Sequence, residues 1–325
     1  MAKGRGARRG RATTTAAVLA GAVTAALAAG CTSGGDPADD GRAASRGPSR
    51  GTAQTTASVL AVKIDNAPAA RPHTGLEAAD VVYVEPVEGG LSRLMAVYAT
   101  QFPAAVGPVR SARESDLELL AQFWRPTLAF SGAQGKLKPL LKDAPLRAAS
   151  PDQERDGYFR EPGRAAPHNL YVRPHRLMPS APGADALTTG FRYGAAPAGG
   201  RAEHTHTVRY PAARFTFTWS DSRDGWLVAM DGRASAPQPA PATVVVQYVT
   251  VRESAFRDFL GNNSPYTETV GSGRATVLRD GRAHDVAWKR PSATQGTSFT
   301  QADGAPVNFA RGQVWVVFAQ APGKG

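Results

Sequence analysis

The second half of the chain is a series of short β-branched and aromatic runs, at 208–210, 215–219, 226–230, 244–249, 275–278, 286–288 and 314–318. No other feature restricts the possible folds as much. Asp231-Gly232, Asp280-Gly281 and Asp303-Gly304 supply turn chemistry between runs, because these pairs accept the positive φ of tight hairpin turns. The pattern predicts a β-rich, hairpin-built part over 201–325, with 252–260 its one helical stretch. The first half reads differently. Short apolar strands at 59–64, 81–84, 91–100 and 127–131 alternate with helical segments. A helix is expected between Arg113 and Trp124, where Leu117, Leu120, Ala121 and Trp124 share a face, with Ser111 as N-cap and Glu114 three residues on. A helical turn is expected at 75–80 and a second helix at 134–141. Alternation of this kind predicts an α/β part over 58–200 and an α+β chain overall.

Cys31 is the only cysteine, so no disulfide framework and no cysteine-based zinc site can hold the fold. Its position is informative. Residues 1–12 are basic, 16–29 form an apolar run too short for an ordinary membrane span, and Leu27-Ala28-Ala29-Gly30-Cys31 has the form of a bacterial lipobox. Residues 1–30 therefore read as a lipoprotein signal peptide. Cys31 is the expected lipidation site, placing the protein on the extracytoplasmic face of the cell membrane, anchored through an N-terminal lipid. Arg8-Arg9 leaves both the general secretory and the twin-arginine route open. Residues 31–57 contain no aromatic or large aliphatic side chain and read as a disordered tether, with a typical reach of about 30 Å. Five of the +11 net charges belong to the first thirty residues, which leaves +6 on the rest without a basic run. That distribution does not suggest nucleic-acid binding. A mildly basic surface outside the membrane suits an anionic cell-wall polymer or an envelope protein as partner.

Several blocks together resemble the YerB-like family of bacterial lipoproteins: Val62-Lys63-Ile64-Asp65-Asn66, Ala79-Asp80-Val81-Val82-Tyr83, Val87-Glu88-Gly89-Gly90, Gly107-Pro108-Val109-Arg110-Ser111-Ala112-Arg113 and Pro167-His168-Asn169-Leu170-Tyr171. Further on, Gly271-Ser272-Gly273 and Trp288-Lys289-Arg290 fit its second domain. The resemblance covers about residues 58–320. It implies two associated α+β parts and an envelope address, and it carries over no reaction and no catalytic residue.

The densest polar constellation lies in those blocks. Asp65, Glu85, Glu88, Arg93, Arg110, Arg113, His168 and Asn169 all fall at strand ends or in Gly/Pro-marked loops, where rigid scaffolds display function. They are expected to converge on one groove of the N-terminal part. Three arginines favour an anionic ligand. Glu85 and Glu88 are also the candidate pair for a carboxylate-dependent hydrolase or transferase acting on wall glycan, if their environments split their proton affinities. The same residues could instead form an ion-pair network that only holds the loops. No nucleophile elbow, metal-ligand set or cofactor loop is recognised, and no cofactor or metal is expected. His204 and His206 share strand parity but lack a third ligand. The reading that best fits is a membrane-anchored binding or accessory protein of the cell envelope.

Overall fold

Five strands of the N-terminal half organise the molecule: β1 (Leu60–Asp65), β2 (Val81–Pro86), β3 (Ser92–Tyr98), β4 (Thr127–Ala129) and β5 (Arg147–Ala149). The structure, a computed structural model, describes residues 57–322 apart from 235, 259 and 260. The signal peptide, Cys31 and nearly all of the tether lie outside the described residues. Every residue of β1 is buried, as expected of a strand covered on both faces. β1 pairs antiparallel with β3 and parallel with β4, β3 pairs antiparallel with β2, and β4 parallel with β5.

These strands continue into the second half. Among the described residues one sheet of eleven strands runs Ser298–Thr300, Arg282–Arg290, Gly271–Arg279, Thr243–Val249, Val314–Gln320, β2, β3, β1, β4, β5, with Arg201–Ala202 added beside Arg282–Arg290. Val314–Gln320 is parallel to both of its neighbours. Side-chain alternation gives the sheet two apolar faces. Leu60, Val62, Ile64, Val82 and Leu94 face a four-stranded sheet that contributes Phe215, Phe217, Trp226 and Met230. Ala61, Tyr83, Met95 and Val97 face Leu119, Leu120 and Phe123.

The expectation of an α/β N-terminal part is corrected by these features. The protein is mostly β, and its helices are short: α1 (Ser115–Leu120), α2 (Lys138–Asp143) and α3 (Pro174–Leu177). The central strands of this half pair antiparallel, which needs no helical crossover. α1 is shorter than predicted because the face it buries is Asp116, Leu119 and Leu120, whereas Trp124 remains 42% exposed. The helix has already ended at Leu120, and Arg125 beyond it takes a positive φ of 39°, which a continuing helix could not accommodate. Ser111 does not cap it. Asp116 accepts the Arg113 N–H at 2.7 Å instead. The stretch expected to be helical at 252–260 forms strand Val251–Arg257, antiparallel to Asn263–Thr267, because its sequence offers no helical apolar stripe. Gly271-Ser272-Gly273 starts a strand, and a Cβ on Gly273 would lie 2.7 Å from Trp288 Nε1.

Candidate functional site

Register builds the site. Asp65 stands opposite Arg93 across β1–β3, and Glu85 stands opposite the same Arg93 across β2–β3. These three residues share a row, and their parity with Ala61, Met95 and Tyr83 puts them on the sheet face that α1 covers. One residue pair further in, Lys63 occupies the same face of β1.

Two polar clusters result. The first is closed. Lys63 contacts Glu85 directly and lies 2.6 Å from Asp116 Oδ1, with side chains 0%, 1% and 0% exposed respectively. Burial pushes the Glu85 carboxyl up to about 7; Lys63 opposes that shift and Asp116 reinforces it. Glu85 Oε1 is buried without a hydrogen-bond partner among the described residues.

The second cluster is open. A cleft of about 470 Å³ is lined by Asp65, Glu88, Arg93, Arg110, Arg113 and His168, together with the Gly89 loop and the hairpin residues Asp258 and Asn262. Asp65 Oδ2 receives His168 Nδ1 at 2.8 Å and Arg110 Nε at 3.4 Å, while Oδ1 accepts the Ala67 N–H. Glu88 is gripped by Arg113 through both carboxylate oxygens, at 2.6 and 2.8 Å, and also accepts the Ser264 hydroxyl. Burial alone would raise the Glu88 carboxyl, but the Arg113 fork and Ser264 hold it below the ordinary carboxylate value. Arg93 differs from the other two arginines. Its single hydrogen bond runs to the Ser111 carbonyl at 3.3 Å, and no carboxylate pairs with it among the described residues. Burial lowers its guanidinium to about 10; Arg113 and Arg110 add to the shift, and Glu88 and Asp65 oppose it from a distance.

Six of the eight expected site residues therefore share the cleft, and two do not. Glu85 points into the closed cluster, where it meets Lys63, which also reaches Asp116 on α1. Asn169 is turned away: its Oδ1 accepts from Arg160 at 2.7 Å and its Nδ2 donates to the Arg164 carbonyl, so it braces the loop carrying His168. Glu85 and Glu88 do not share the cleft: Glu85 is sealed beside Lys63, and Glu88 is held by Arg113. His206 pairs with Glu203. Sequence reasoning missed Lys63 and Asp116. A lysine inside the otherwise apolar run Leu60-Ala61-Val62-Lys63-Ile64 was one signal. Asp116 at helical spacing from the buried Leu119 and Leu120 was another.

The loop bearing Arg110 and Arg113 is set by Val106–Val109. Val106 exchanges backbone hydrogen bonds with Val172, Val109 N–H reaches the Leu170 carbonyl, and Arg110 N–H reaches the Lys63 carbonyl at 2.8 Å. Gly107 is required there because a Cβ would lie 2.7 Å from Tyr171 Cδ1 and 2.9 Å from the Leu170 carbonyl oxygen.

Fold and site together define a β-rich protein with an arginine-lined polar cleft at the edge of a central antiparallel trio. The N-terminal and C-terminal domains of the protein family of unknown function DUF3048 match residues 47–187 and 206–316 respectively, and the chain belongs to this family. It is 24% identical over 271 residues to the Bacillus subtilis (strain 168) protein named "Putative lipoprotein YerB", covering 78% of this chain and 79% of that one. The crystal structure of the YerB protein from Bacillus subtilis shares the fold, with a TM-score of 0.65 at 18% identity, over 82% of this chain and 93% of that chain.

Proposed function

We propose that the protein is a lipid-anchored binding protein on the extracytoplasmic face of the cell membrane, and that its cleft takes an anionic group of an envelope ligand such as a wall polymer. The observation that carries the binding reading is Arg93. It is a half-buried cation with one long hydrogen bond and no carboxylate partner among the described residues. Burying a charge costs free energy unless it is paired. Arg110 adds a second underused guanidinium, since among the described residues its side chain makes only the 3.4 Å contact with Asp65. A phosphate or carboxylate between the two would complete both, because guanidinium forks match these anions. Isothermal titration with inorganic phosphate and with an oligomer of glycerol phosphate tests this. Binding that weakens with salt and is lost in Arg93→Gln supports the reading; no binding of either probe at low salt refutes it.

The lipid anchor rests on the lipobox around Cys31 and on the relative named as a lipoprotein. Two acyl chains hold a protein stably at a membrane, at about 0.8 kcal/mol per buried CH₂. Cys31→Ser should shed the protein into the medium or leave an uncleaved precursor. A wild-type protein that starts at Met1, or that carries an unmodified cysteine after cleavage, would refute the anchor.

A further inference from the structure

Lys63, Glu85 and Asp116 are fully enclosed, and neither the cleft nor the proposed ligand uses them. Tyr83 and Met95 on the sheet and Leu119 and Leu120 on α1 belong to the same core face, and the polar row of Asp65 and Arg93 lies one residue pair away. One cation and two carboxyl groups in such a place are hard to explain as a stabilising ion pair. Desolvating an ion costs several kcal/mol, and replacing a buried pair with apolar residues is often neutral or stabilising.

The geometry resembles that of a reaction. An amine held against a carboxyl group in a water-excluded site has lost the translational and rotational freedom that normally opposes amide formation. Excluding water also removes the reactant that would reverse it. Asp116 is held against the amine. Its Oδ1 lies 2.6 Å from Lys63 Nζ, while Oδ2 accepts the backbone N–H of Arg113 at 2.7 Å. That N–H would stabilise negative charge developing on Oδ2, as an oxyanion-hole donor does. Glu85 touches the same Nζ and keeps Oε1 without a partner among the described residues. It can take a proton from the amine and return it to the departing oxygen. Burial raises its proton affinity, which suits a group that must both hold and release a proton.

We propose that Lys63 and Asp116 condense into an intramolecular isopeptide bond, with Glu85 as the proton shuttle. Neutral Lys63 Nζ attacks Asp116 Cγ to form the C–N bond. Glu85 accepts a proton from the nitrogen and delivers it to Oδ1. The Cγ–Oδ1 bond then breaks and one water leaves. The ammonium–carboxylate pair and the amine–acid pair differ only by one proton transfer, so charge balances, and no oxidant, reductant or nucleotide is needed. The product replaces a buried ion pair with a neutral amide. It also ties β1 covalently to α1, the helix that covers the cleft face of the sheet. This inference stands apart from the anion-binding reading, because none of its three residues lines the cleft.

Intact and peptide mass spectrometry of the purified full chain tests it. The folded protein should be lighter than its processed sequence by one water. Digestion should yield a branched peptide joining the segments around Lys63 and Asp116, and no free form of either. Glu85→Gln should leave both segments unlinked at full mass. Asp116→Asn should still form the amide, now with loss of ammonia, which gives a second reading if Glu85→Gln does not fold. Recovering Lys63 and Asp116 in separate peptides from folded wild-type protein would overturn the proposal. A branch joining Lys63 to Glu85 would overturn the assignment of acceptor and shuttle.

Discussion

Replacing Arg110 and Arg113 by alanine, one at a time, should separate a ligand-binding arginine from a structural one. Arg113 holds Glu88 by two hydrogen bonds of 2.6 and 2.8 Å, with side chains 13% and 7% exposed. Removing it leaves a largely buried carboxylate with only the Ser264 hydroxyl and its own backbone. Breaking a buried pair from one side costs about 3–5 kcal/mol. At roughly 2–4 °C per kcal/mol for a chain of this size, the melting midpoint should fall by roughly 6–20 °C. Arg110 is 24% exposed and its side chain makes one 3.4 Å contact. Its structural bonds are backbone ones, from its N–H to the Lys63 carbonyl and from Ser131 N–H to its carbonyl, and alanine keeps both. A partly exposed pair of that length contributes about 0–1 kcal/mol, so the midpoint should move by only a few degrees. A charge-assisted bond to an anion contributes about 1.5–3 kcal/mol, so Arg110→Ala should weaken phosphate binding by roughly ten- to hundredfold. Differential scanning calorimetry and titration of the same two variants make the comparison. If Arg110→Ala lowers the midpoint as much as Arg113→Ala and leaves binding unchanged, the cleft is a structural ion-pair network and the reasoning fails.

His73 is buried with Nε2 2.8 Å from the Asp65 carbonyl, and burial lowers its imidazole from 6.5 to about 4. The unfolded chain therefore takes up this proton first, so the stability His73 contributes is complete above pH 6.5 and is lost as pH falls through about 4. That amounts to about 3 kcal/mol, and His73→Gln should flatten the pH 4–6.5 part of a melting-midpoint profile. Gly107→Ala should destabilise by about 1–3 kcal/mol through overpacking against Tyr171 and the Leu170 carbonyl, seen as a lower urea midpoint. Arg290 is buried and donates to the carbonyls of Glu118, Ala293 and Gln295 at 2.7–2.9 Å. Arg290→Lys cannot reproduce that fork and should cost at least about 1.5–3 kcal/mol; a chemical denaturation curve unchanged from wild type would refute this role.

The strands were readable one at a time, because hydrophobic alternation and Asp-Gly turns are local. The runs at 59–64, 81–84, 244–249 and 314–318 are all strands, and Asp231 and Asp280 do take positive φ. The loops gathered most of the expected polar residues for the same reason: Gly89-Gly90 and the Gly107 to Arg113 block end elements that face one edge. Pairing was not local. Nothing within the run at 314–318 says that it enters between Val81–Pro86 and Thr243–Val249, and that insertion is what makes the sheet continuous. Alternation also could not say which face would be covered. Glu85 and Glu88 look equivalent in sequence, yet Glu85 stays in its strand and is buried beside Lys63 and Asp116, while Glu88 leaves the strand and opens onto the cleft. Residue type and local period decide which segments are strands. Register and the element packed on top decide which charges meet water, because only the assembled sheet determines where water is excluded.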